Sequence, residues 1–134
     1  MAEFILKDMV KKAGVAEQFK IDSAATSTEE IGNPLYYAAR QMLVRHGIPC
    51  EGHRARQITR QDGDEYNFLI GMDNANIRNM RRICPQAAQK IRLLLSYTFR
   101  PGEVDDPWYS GDFETAWQDI NEGCRGLLQE LGVL

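Results

Sequence analysis

Apolar residues recur every three or four positions at Phe113, Ala116, Trp117, Ile120, Cys124, Leu127, Leu128 and Leu131, the spacing of one helix face. Asp112 stands where a helix needs a side-chain acceptor for its first free N–H groups, and Gly132 stands where the helix should stop. The same period near the start predicts a helix over residues 2–13, with Ile5, Met9, Val10 and Ala13 on one face and Phe4 at its edge. Lys11, Lys12 and Gly14 prepare its exit, but no Ser, Thr, Asp or Asn precedes it as a cap. Pro34 opens a helix over 35–46, with Leu35, Ala38, Ala39, Met42 and Leu43 inward and Gly47 as its stop. Thr59 followed by Asp62 predicts a capped turn over 60–66. Asp73 or Asn74 caps a further helix over about 75–84.

Between these helices lie shorter apolar runs. Phe68-Leu69-Ile70-Gly71-Met72 is continuous, as expected of a strand covered on both faces. Ile91 to Leu95 is a second such run, and Phe19 to Ser23, with Phe19 and Ile21 on one side, is a third candidate strand. Residues 24–33, 48–58 and 98–111 are expected to be loop or irregular, the last carrying Pro101, Gly102, Pro107 and Gly111. Helix and strand alternate throughout, which predicts a three-layer α/β fold with a small parallel sheet and right-handed crossovers. At 134 residues without repeats or linkers, residues 1–134 form a single domain.

Charge and composition narrow the function classes. The formal net charge of −3 argues against nucleic acid as a partner, and Arg78, Arg81 and Arg82 read as a solvated helix face. No apolar run reaches the ~18 residues of a membrane span, so no membrane partner is expected. Three cysteines without metal spacing suggest reduced thiols in a cytoplasmic protein. The two histidines sit in no ligand cluster, and neither a metal nor a cofactor is implied.

The segments that carry chemistry are Ile21-Asp22-Ser23-Ala24-Ala25-Thr26-Ser27, running on to Gly32-Asn33-Pro34, and Asp105-Asp106-Pro107-Trp108-Tyr109. With Gly71-Met72-Asp73 and Asn76, they resemble the low molecular weight protein tyrosine phosphatases, in that family's order from residue 1 to about residue 130. The resemblance implies hydrolysis of a phosphotyrosine protein or a small aryl phosphate through a cysteinyl-phosphate intermediate. That chemistry needs a thiolate nucleophile, a loop of backbone N–H groups with an arginine fork, and a carboxylic acid that protonates the leaving phenolate.

The resemblance assigns the proton donor to Asp106, which Pro107 restricts to extended backbone. It assigns the cleft walls to Trp108 and Tyr109, with Glu29 in the facing loop, and the support of the nucleophile loop to Glu3, Ser23, His53 and Asp73. In the family a strand and a Cys-x5-Arg-Ser loop precede the first helix, where this sequence begins with Met1-Ala2-Glu3-Phe4. The expectation is therefore a family fold of strand order 2-1-3-4 without its first strand, inactive as written. Its open sheet edges would invite pairing of two chains. Cys50 to Arg56 satisfies a bare Cys-x5-Arg pattern, but Pro49 precedes it and no clear helix begins at Arg56, so the thiol lacks an activating helix N-terminus. A pseudo-phosphatase serving as a binding or dimerisation module, and an arginine phosphatase of the same fold, remain as alternatives.

Overall fold

The computed structural model describes residues 1–26, 37–50 and 56–134, apart from the side chains of Trp108 and Tyr109. Its elements follow in the order α1 (Ala2–Lys12), α2 (Tyr37–Arg45), α3 (Arg60–Glu65), β1 (Leu69–Gly71), α4 (Asn74–Ile83), β2 (Ile91–Leu93), α5 (Pro107–Ser110) and α6 (Phe113–Glu130). The two strands pair in parallel, with Leu69 opposite Ile91 and Gly71 opposite Leu93. This is an α/β fold with a small parallel sheet.

Successive strand residues point to opposite faces, and the sheet uses both. Leu69 and Ile91 join Ile58, Ile77, Met80, Cys84 and Ala87 in one buried cluster beneath α4. Ile70 and Met72 lean on the other cluster, built from Phe4, Ile5, Leu43, Ile48, Cys50, Leu94, Leu95, Val104, Ala116, Ile120 and Cys124. Gly71 permits the close approach of β1 to α4: a Cβ there would stand 2.9 Å from the Cβ of Asn76 and 3.0 Å from the Cε of Met80.

Local capping follows the sequence closely. Thr59 and Asp62 form a complete capping box on α3, and Asp73 with Asn76 forms another on α4, so Asp73 rather than Asn74 is the cap. Asp112 Oδ1 accepts from the Thr115 N–H at 3.0 Å, while α1 starts at Met1 without a side-chain cap.

Several expectations need correction. Residues 19–24 form no strand; instead Ala25 makes a single parallel bridge to Gln57, through Ala25 N to Arg56 O at 2.7 Å and Ile58 N to Ala25 O at 2.8 Å. The alternation in Phe19–Ser23 is genuine, but a strand also needs a partner of matching length. The second run ends as a strand at Leu93, because Leu94–Tyr97 turn into a 3-10 helix packed on α6. Ser96 Oγ and Thr98 Oγ1 donate to the carbonyls of Leu93 and Leu95 at 2.6 and 2.7 Å, holding that turn. Residues 98–111 are not all loop, since Pro107 starts α5. On α1, Phe4 is buried and Ala13 is exposed, and Leu131 lies beyond the end of α6, exposed. Leu35 lies outside the described residues.

Candidate active-site frame

The C-terminal end of β1 is where the chain brings its acidic loops together. Val104 N donates to the Met72 carbonyl at 2.8 Å, and Asn74 N donates to Glu103 Oε1 at 2.8 Å. These two bonds dock the 103–106 segment against the turn between β1 and α4. Asp73 sits in that turn, its Oδ1 accepting from Asn76 N at 2.8 Å. Asn76 Oδ1 reaches back to Met72 N at 3.0 Å and Asp73 N at 3.4 Å, so the turn is locked from within. Asp106 is exposed and stands immediately before α5, where Pro107 occupies a first helical position that needs no N–H.

A second frame forms at the start of α1. Ser23 Oγ donates to Glu3 Oε1 at 2.5 Å, while Glu3 Oε2 pairs with Lys7 at 2.6 Å one turn along the helix. Glu3 thus ties the 20–25 segment to α1. The two frames meet through one apolar cluster, since Val104 is buried together with Phe4 and Ile5.

Beside them lies a charged hub. Arg56 donates from Nη1 and Nη2 to the two carboxylate oxygens of Asp62 at 2.9 and 3.2 Å, and from Nε to Asp22 at 3.1 Å. Burial works against the Asp62 carboxylate, but the Arg56 fork and the Thr59 backbone N–H outweigh it and hold the carboxyl below its ordinary range. The Asp62 side chain raises the affinity of Arg56 for its proton in return, against the opposing effect of burial.

All three cysteines are free and buried. Burial pushes the Cys124 thiol up to about 12. It also raises Cys84, whose Sγ donates to the Thr59 carbonyl at 3.3 Å. Cys50 is packed in the cluster of Phe4 and Ile5, and the arginine six positions on is the one held by Asp22 and Asp62. Among the described residues no group of three His, Cys, Asp or Glu side chains is placed to hold a metal.

The model of the family described as low molecular weight phosphotyrosine protein phosphatase matches residues 1–133. The chain belongs to this phosphatase family. It is 38% identical to the human low molecular weight phosphotyrosine protein phosphatase, over 97% of this chain and 85% of that protein. It is 37% identical to the low molecular weight protein-tyrosine-phosphatase YfkJ of Bacillus subtilis, over 98% of this chain and 86% of that one. The crystal structure of YfkJ superposes with a TM-score of 0.94 at 36% identity, covering 98% of this chain and 84% of that one. A Streptococcus pyogenes low molecular weight protein tyrosine phosphatase gives a TM-score of 0.87 at 34% identity, covering 97% of this chain and 82% of the other.

Among the expected phosphatase site residues, Asp73 and Asp106 share the frame at the end of β1, and Glu3 and Ser23 share the frame at α1. Glu29 and His53 lie outside the described residues. Trp108 and Tyr109 have their backbone in α5, and their side chains lie outside what is described. Sequence reasoning missed the tethers through Glu103 and Val104, which carry no local signal. It also missed Asp62 as the partner of Arg56, although Thr59 and Asp62 were recognisable as a capping box.

Proposed function

We propose that this chain is a cytoplasmic low molecular weight protein tyrosine phosphatase, a single domain over 1–134, whose substrate is a phosphotyrosine protein or a small aryl phosphate. The docking of the Asp106 loop against the end of β1, through Val104 and Glu103, carries this reading. In it Asp106 protonates the leaving phenolate, a step worth about 10²–10⁴ in rate. Trp108, Tyr109 and Glu29 wall the cleft, and Glu3, Ser23, His53 and Asp73 support the loop that would hold the phosphate.

The nucleophile is the weak point of the chain as written. An attacking thiolate needs a lowered pKa and a partly exposed, electropositive setting. Cys84 and Cys124 are instead buried and raised. Cys50 is buried, and the arginine six positions on, Arg56, is committed to two carboxylates. On this reading the 134-residue chain is inactive by itself. β1 pairs only with β2 among the described residues, and an edge left without a strand supports the second reading of a binding module that pairs two copies.

The test uses two proteins: the chain as it stands, and the chain extended at its N-terminus by an apolar strand and a Cys-x5-Arg-Ser loop. The extended protein should hydrolyse p-nitrophenyl phosphate and lose about 10²-fold or more of that rate on Asp106→Asn. The unextended chain should show no turnover. A rate in the unextended chain that Cys50→Ser abolishes, or an inert extended protein that is folded, overturns the reading. Sedimentation of the unextended chain decides the pairing, which a monomer at all concentrations excludes.

A further inference from the structure

We propose that a cleft beside β2 is a binding site for a small aromatic anion. It is an open cleft of about 410 Å³, lined by residues just before β1 (Asn67, Phe68), residues before and on β2 (Gln89, Lys90, Arg92), Ser96 and Tyr97 of the 3-10 turn, and Glu130 at the end of α6. That volume suits a small ligand. The strands are parallel, so the entry to β1 and β2 lies at the opposite end of the sheet from Asp73 and from the Val104–Met72 bond that docks the Asp106 loop.

Two features define the ligand. Lys90, the residue just before β2, and Arg92 on β2 both line the cleft, and among the described residues neither has a carboxylate partner. Lys90 Nζ spends one contact on the Gly63 carbonyl at 2.8 Å, and Arg92 Nη1 spends one on the Ile91 carbonyl at 3.3 Å. Each retains further N–H donors, and an arginine fork favours a planar oxyanion. Beside these cations stand two rings: Phe68, 43% exposed with no core function to explain it, and the half-buried Tyr97. Flat apolar faces next to paired cations fit an aryl carboxylate or aryl phosphate better than an inorganic ion. Glu130 closes the cleft with a negative charge, which disfavours polyanions and selects a ligand with one anionic group.

Two-dimensional amide NMR titration with phenylacetate, phenyl phosphate and inorganic phosphate tests this site. Both aryl anions should shift the amides of residues 67, 68, 90, 92 and 97, with dissociation constants in the millimolar range or below, and inorganic phosphate should bind at least tenfold more weakly. Arg92→Glu, made alongside the milder Lys90→Gln to guard against misfolding, should weaken binding about tenfold or more. Glu130→Gln should tighten it several-fold by removing the repulsion. Shifts confined to other residues, equal binding of inorganic phosphate, or affinity unchanged in folded variants would each overturn the proposal. If phenyl phosphate binds and phenylacetate does not, the aryl-anion class is wrong.

Discussion

Asp62→Asn is the most informative single perturbation of this fold. Asp62 is 8% exposed and accepts four hydrogen bonds: Thr59 N at 2.8 Å, Thr59 Oγ1 at 3.2 Å, Arg56 Nη1 at 2.9 Å and Arg56 Nη2 at 3.2 Å. Asparagine keeps the shape but turns one acceptor oxygen into an NH₂ donor. That donor must face either the guanidinium or the Thr59 donors. Removing one partner of a buried ion pair costs about 3–5 kcal/mol. The Arg56 side chain is 37% exposed and keeps Asp22, so the loss is discounted to about 2–3 kcal/mol.

The sign of the pH effect follows from the direction of the Asp62 shift. Burial alone would raise its pKa, yet the Arg56 fork and Thr59 bring it below the ordinary value. Its contribution is therefore complete above the unfolded carboxylate range and is lost as pH falls through the lower, folded value. Urea unfolding should accordingly show wild type losing stability on acidification below about pH 4, with a shallower slope in the variant because the titrating group is gone. Asp22→Asn is the control: its carboxylate is 41% exposed, and its loss should cost no more than about 1 kcal/mol. An Asp62→Asn protein within about 0.5 kcal/mol of wild type, or one with an unchanged acid slope, would refute the hub.

Other changes probe the packing. Gly126→Ala should destabilise by at least about 2 kcal/mol in urea, because a Cβ at that position on α6 meets the backbone carbonyl oxygen of Tyr97, which cannot rotate away. Native-state alkylation at pH 8 should leave Cys124 unmodified until the protein unfolds, since burial pushes its thiol to about 12; rapid native labelling of Cys124 would contradict that burial. Trp117 stacks on His46 at 3.6 Å with planes 7° apart, and its buried Nε1 has no hydrogen-bond partner among the described residues. Trp117→Phe keeps the stack and removes the orphaned N–H, so it should cost less than about 1.5 kcal/mol, against about 3 kcal/mol for Trp117→Ala.

The parts of the fold legible in the sequence were those decided locally. Periodicity located α1, α2 and α6, and the short-range acceptors Thr59, Asp73 and Asp112 placed the starts of α3, α4 and α6, because a cap is a contact within three residues. The continuous run at 68–72 identified β1, since a strand covered on both faces cannot alternate. What failed was decided at a distance. Phe19–Ser23 has strand composition but makes no bridge among the described residues, the nearby one being Ala25 to Gln57, and β2 stops at Leu93 because α6 draws Leu94–Tyr97 onto its glycine face. No local pattern encodes either event.

The same division governs the site. Asp106-Pro107-Trp108-Tyr109 could be recognised as a segment, but where its carboxylate stands is decided by what holds the loop in place. Here that is the bond from Val104 to Met72 and the bond from Asn74 to Glu103, partners 32 and 29 residues apart in sequence. Both bonds depend on the locked turn of Asp73 and Asn76, which in turn depends on Gly71 letting α4 approach β1. A residue as bland as Gly71 therefore positions the acid loop as much as any charged group does. By that logic Gly71→Ala should disturb the amide signals of residues 103–106 along with those of α4. A disturbance confined to α4 would mean that the acid loop is held by something other than this turn.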